Sequence, residues 1–217
     1  MSDLLRSELC RVGASLFARG YVHASAGNLS ARANDGFLIT PTDACLGFLE
    51  PQRLAHVDQA GVQQGGDRAS KTLALHRAIY AADPAAQCII HSHSTHLVAL
   101  TLAGVWREAD VLPPITPYFV MKVGHVPLIG YRRPGDAQVA VQVAAQIAAA
   151  RARGTPIRAV LLERLGSVVW HASPAAAMAV LEELEETARL WLMTNPKPAP
   201  LTEPQLAELR TQFGAAW

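Results

Sequence analysis

The chain has 217 residues, half of them hydrophobic, with 19 basic against 18 acidic side chains and a formal charge of +1. That length carries a substantial core, and scattered, balanced charge gives no electrostatic footprint for nucleic acid. The apolar runs are too short for a membrane span, and Cys10, Cys45 and Cys88 are too far apart for a disulfide framework or a CxxC knuckle.

In chain order, Leu5, Leu9, Val12 and Leu16 recur at helical spacing and Gly20 follows as a C-cap signal, so a helix opens the chain. "SAGNLSAR" (25–32) reads as a small-residue turn rich in hydroxyls and amides, and "GFLITPT" (36–42) as a strand ending in a turn. "ASKT" (69–72) leads into the helix "KTLALHRAIYAADP" (71–84), with Leu75 and Ile79 on one face and Pro84 as its stop. "AQCIIHSH" (86–93) is a β-rich run, after which Ser94 is placed to cap the helix of "STHLVALTLAG". "GHVPLIGY" (124–131) is extended, and Pro134 starts the helix "PGDAQVAVQVAAQIAAARA" (134–152). "RAVLLE" (158–163) and "SVVW" (167–170) form paired strands. Leu181, Leu184, Ala188 and Trp191 line one face of a helix beginning near 174, and Thr202 with Gln205 forms a capping box before the last helix. Strands and helices are interspersed throughout, which predicts an α/β class in three layers. With no linker and no signal-peptide pattern at "MSDLLRSELCRVG", one cytoplasmic domain over 1–217 is expected.

The chemistry concentrates in "HSHSTH" (91–96). On a strand, His91 and His93 point to the same face and Ser92 to the other. Two neutral imidazoles at a strand end make half of a zinc-type site, while His96, a turn into the next helix, is placed to orient a ligand histidine. Against this stands the plain alternative that buried histidines often only satisfy backbone groups. Three other stretches favour an anion nearby. Ser25 and Asn28 in "SAGNLSAR", Thr42 in "TPTDA", and Ser70 with Lys71 at a helix start all offer hydrogen-bond donors, and Lys71 adds a charge.

"GNLSAR", "ITPTD", "SKTLALHRAIY", "IIHSHSTH" and "LEELEETARLW", in this order, resemble the class II aldolase/adducin family over about residues 4 to 194. "CLGFLEPQRL", "VLPPITPYFVMKVGHVPLIGYRRPGD" and "ELEETARLW" are most similar to its 3-oxo-tetronate 4-phosphate decarboxylase branch. The resemblance implies an α/β/α fold around a mostly antiparallel sheet, assembled as a homotetramer. It implies a divalent metal on His91 and His93, zinc first and manganese or cobalt next. It implies phosphate held by Ser25, Asn28, Thr42, Asp43, Ser70 and Lys71, with Lys71 and Thr72 as the candidate catalytic positions. The partner is then a phosphorylated sugar acid, with neither nucleic acid nor membrane.

Two positions depart from the family pattern. The customary helix-start glutamate falls on Thr72, and the third zinc histidine falls on Leu165 within "ERLG" (163–166). Glu163, His125 and His171 are the substitute ligands nearest in sequence. An aldolase or epimerase needs a positioned base, whereas a β-keto acid loses carbon dioxide with no prior proton removal. The losses therefore favour decarboxylation of 3-oxo-tetronate 4-phosphate to dihydroxyacetone phosphate. A sugar-phosphate aldolase or epimerase, and an inactive adducin-like interaction domain, are the alternatives. Tyr118 and Tyr131 are candidate lid residues, and Arg132 and Arg133 are expected in solvent.

Overall fold

The computed structural model describes residues 2–217. Its sheet is built from β1 (Asn28–Ala33), β2 (Gly36–Ile39), β3 (Ala55–Asp58), β4 (Gln63–Gly65), β5 (Cys88–Ser92), β6 (Leu128–Ile129), β7 (Ala159–Leu162) and β8 (Gly166–His171). They lie in the order β4-β3-β2-β1-β5-β8-β7-β6. Every neighbouring pair is antiparallel except β6 with β7.

Alternation along these strands makes two cores. Leu29, Ala31, Leu38, Cys88, Ile90, Leu161 and Val169 face α1 (Ser2–Ala18), α3 (Thr95–Ala103) and α5 (Pro174–Met193). Phe37, Ile39, Ile89, Val160, Leu162, Val168 and Trp170 face α2 (Leu73–Ala82) and α4 (Ala137–Ala152). A sheet covered on both faces needs strands that are apolar on both sides, and Cys88–Ile89–Ile90 supplies that in the central strand. The last helix, α6 (Glu203–Phe213), packs Leu206 on Val120 of a π-helical turn at Phe119–Val123. It begins with the expected Thr202–Gln205 capping box.

Four local expectations are corrected. "SAGNLSAR" is not all turn: Asn28–Ala33 is a mid-sheet strand, its period hidden because Leu29 is its one large apolar residue. α4 starts at Ala137, three residues after Pro134, because the Asp136 carboxylate accepts from the Gln138 N–H and fixes the cap there. Within 124–131 only Leu128–Ile129 joins the sheet. Val126 and the outer edge of Leu128 bond to an earlier segment, Val111 N–H donating to the Val126 carbonyl and Leu128 N–H to that of Glu108. Ser94 stands at the N-cap of α3 without a side-chain capping bond. The buried Glu185 of α5 does that work, accepting from the N–H groups of His96 and Leu97 at 2.9 and 3.1 Å.

Candidate active site

The register of the central strands brings the first polar groups together. Asn28 on β1 lies directly opposite His91 on β5, and both sit one step out of phase with the residues facing α1 and α5. Both therefore face the α2/α4 side, at the end of the sheet where those two helices begin. His93 follows one residue beyond the strand, and its Nε2 lies 3.1 Å from His91 Nε2.

The state of these rings follows from their partners. His91 Nδ1 is 2.9 Å from the Ser167 carbonyl oxygen, which can only accept, so Nδ1 carries the proton and Nε2 presents a lone pair. Burial, followed by the neighbouring His93, lowers the His91 pKa to about 4. His93 is lowered by burial and then by His23. Two neutral ring nitrogens that converge on one point fit two ligand positions of a divalent cation. Among the described residues, no group of three or more His, Cys, Asp or Glu side chains could hold a metal.

A cavity of about 320 Å³ opens over this pair. Ser25, Asn28, Thr42, Asp43, Ser70, Lys71, Thr72, His91 and His93 all line it, so residues from four segments of sequence meet at one place. Its opposite wall is apolar, made by Val139, Ala140, Leu162 and Leu165. At the mouth Lys71 Nζ lies 3.3 Å from the Asp43 carboxylate, and both side chains are mostly exposed. Asp43 thus faces Lys71 with an acceptor, not a donor for an anion. The only other carboxylate on the cavity wall among the described residues, Asp136, is occupied at the start of α4.

Several candidates lie elsewhere. His171 is opposite Cys88, at the far end of β5 from His93. His125 bonds Asp110 at 2.7 Å and lines a different cavity. The Glu163 carboxylate accepts from the Tyr131 N–H, outside the cavity wall. None of these three supplies the missing ligand. His96 Nδ1 lies 2.8 Å from Glu185 and does not touch His91 or His93 through any hydrogen bond among the described residues. Tyr118 and Tyr131 are exposed and outside the wall, whereas Arg133, also exposed, forms part of it and Arg132 does not.

Sequence reading passed over the buried groups beneath the cavity. Asn28 Oδ1 is 2.6 Å from His76 Nε2 and 2.8 Å from Thr72 Oγ1. His76 Nδ1 is 2.6 Å from Ser30 Oγ, which is 2.8 Å from the Tyr80 hydroxyl. Burial, with His91 nearby, depresses the His76 pKa to about 3, so this ring is neutral. The signal for Ser30 was its place two residues after Asn28, visible only once 28–33 is known as a strand. Two glycines set the close approaches. A Cβ on Gly27 (φ 83°) would stand 2.8 Å from the His91 carbonyl oxygen, and one on Gly166 (φ 109°) only 2.2 Å from that of Ser92.

The family model of the Class II Aldolase and Adducin N-terminal domain matches residues 7–192. The chain belongs to this family. Among relatives of this class II aldolase/adducin chain, a 3-oxo-tetronate 4-phosphate decarboxylase of Cupriavidus necator is 57% identical over 98% of this chain and 97% of its own length. The protein of that name from Escherichia coli K12 is 43% identical over 95% of each. The crystal structure of YgbL from Escherichia coli superposes with a TM-score of 0.88 at 41% identity, covering 96% of this chain and 99% of that one. An L-fuculose 1-phosphate aldolase shares the fold, with a TM-score of 0.81 at 21% identity over 99% of this chain and 98% of that one. The expected α/β architecture, with its mixed and mostly antiparallel central sheet, is the one observed.

Proposed function

We infer that this enzyme is a carboxy-lyase that converts 3-oxo-tetronate 4-phosphate to dihydroxyacetone phosphate and carbon dioxide. Full-length similarity to decarboxylases of that name supports the reaction. The observation that carries it on this chain is the cavity itself: anion donors and a neutral imidazole pair share one wall, and both wall carboxylates are already engaged. An aldolase would need a free base there, and a decarboxylase does not.

In this reading the phosphate is held by Ser25, Asn28, Thr42, Ser70 and Lys71, with Asp43 orienting the lysine. The carbon–carbon bond to the carboxylate breaks, its electron pair passes toward the 3-keto oxygen, and carbon dioxide leaves. His91 and His93 would hold a divalent cation, zinc foremost, which would supply Lewis-acid polarisation of that ketone. Asn28 stands opposite His91, and Thr72 holds its carboxamide for the phosphate rather than moving a proton itself. The apolar wall of Val139, Leu162 and Leu165 lowers the local dielectric around the anionic intermediate, and a water entering at the cavity mouth gives the proton that completes the reaction at carbon. A homotetramer, one domain over 1–217 and a cytoplasmic location complete the proposal.

Purified protein supplied with zinc, manganese or cobalt should release carbon dioxide from 3-oxo-tetronate 4-phosphate and form triose phosphate in equal amounts. Triose phosphate formed from a sugar phosphate without gas would instead identify an aldolase. No bound metal and no release with any of the three ions would end the decarboxylase reading.

A further inference from the structure

We propose that His76 is a positioning residue, locked as its Nε2–H tautomer by Ser30 and Tyr80, which fixes the Asn28 carboxamide with its amino group toward the substrate. The argument is one of hydrogen-bond direction. An amide can be turned either way, so the distances around Asn28 allow two opposite polarities for the whole chain of bonds.

The buried end of the chain decides between them. Tyr80 is 3% exposed, and among the described residues its hydroxyl bonds only to Ser30 Oγ, at 2.8 Å. If bonds ran outward from Asn28 Nδ2, Ser30 would donate to Tyr80 and leave a buried phenolic proton with no acceptor. Such an orphan gives up its bond to water with nothing gained in return. In the opposite sense Tyr80 donates to Ser30, Ser30 to His76 Nδ1, and His76 Nε2–H to Asn28 Oδ1, each at 2.6–2.8 Å. Every donor is then used. Thr72 gives Asn28 Oδ1 its second bond and has its own oxygen 2.9 Å from Ser70 Oγ. With both lone pairs of Oδ1 taken, the carboxamide cannot turn, and both N–H groups of Nδ2 remain for an anion in the cavity.

The consequence for catalysis rests on the decarboxylase reading, but the tautomer does not. Nitrogen-15 NMR of histidine-labelled protein, with the His76 signals assigned by their loss in His76→Gln, should show a proton on Nε2 and a bare Nδ1. A proton on Nδ1, or on both nitrogens, overturns the proposal. In kinetics, Thr72→Val removes one of the two bonds on Oδ1 and should raise KM for 3-oxo-tetronate 4-phosphate about tenfold with kcat within about threefold, while Thr72→Ser restores the wild-type value. A merely structural threonine would lower stability and leave KM unchanged, and equal KM values for the valine and serine variants also overturn the proposal. Should the wild-type protein release no carbon dioxide, the assigned reaction fails alone and the nitrogen spectrum still decides the tautomer.

Discussion

On the β1 side of the cavity the buried polar side chains are bonded to one another. Asn28, Thr72, His76, Ser30 and Tyr80 form one bonded chain, and His91 is tied through Nδ1 to the Ser167 carbonyl. On the β7–β8 side, Leu162 and Leu165, with Val139 and Ala140 of α4, present only carbon. The first wall fixes orientation by saturating its bonds, and the second keeps the local dielectric low so that those fixed dipoles act strongly. A decarboxylase gains from the contrast: its charge develops next to donors that cannot rotate away, against a wall that offers no competing dipole.

The most damaging way to break the contrast is at Gly166, where the apolar hairpin touches the histidine strand. Gly166→Ala drives a Cβ to 2.2 Å from the Ser92 carbonyl oxygen at a φ of 109°. It should cost about 3 kcal/mol or more, read as a lowered denaturant midpoint, with loss of metal binding in whatever folds. His91→Ala leaves the apolar wall intact and should cut carbon dioxide release by about two to three orders of magnitude without unfolding the chain, as circular dichroism would verify. Leu165→His makes the second wall resemble the first. It should tighten zinc by about tenfold or more in a chelator competition, and an unchanged affinity would mean that position 165 does not reach the imidazole pair.

The smallest effect concerns pH. Burial holds the folded pKa of His76 near 3 and of His91 near 4, against an ordinary 6.5. As pH falls below 6.5 the unfolded chain takes up these protons first, so stability present at neutral pH is lost progressively down to about 4 for His91 and about 3 for His76. At one unit below the ordinary value each such histidine costs roughly 1 kcal/mol. Urea midpoints at pH 7.5 and 5.5 should differ in that direction, and by less in His76→Gln.

Much of this was legible in the chain itself. The periodic helices at Leu5–Leu16 and Leu181–Trp191, the paired strands around "ERLG" and the HxH pair all declare themselves through local spacing. Anion-site candidates declare themselves through residue type. What stayed hidden depends on partners far away in sequence. Ser30 reads as part of a turn and Tyr80 as an ordinary helix residue until β1 enters the sheet and α2 lies over it, which joins the two beneath the cavity. Glu185 reads as one acid in a run of acids, and only packing of α5 on α3 makes it a helix cap. His125 and His171 had the right chemistry, but His171 pairs with the far end of β5 and His125 lies in a loop bonded to Asp110.

The Glu185 cap joins residues separated by 88 and 89 positions. The turn that presents His93 is thus anchored by a carboxylate that the ribosome delivers 88 and 89 residues after the amides it caps, and a nascent chain lacking α5 does not yet hold that carboxylate. Cation and anion capture should therefore be late arrivals during folding, which pulse-labelled hydrogen exchange can time: amides of 93–97 should become protected no sooner than those of α5.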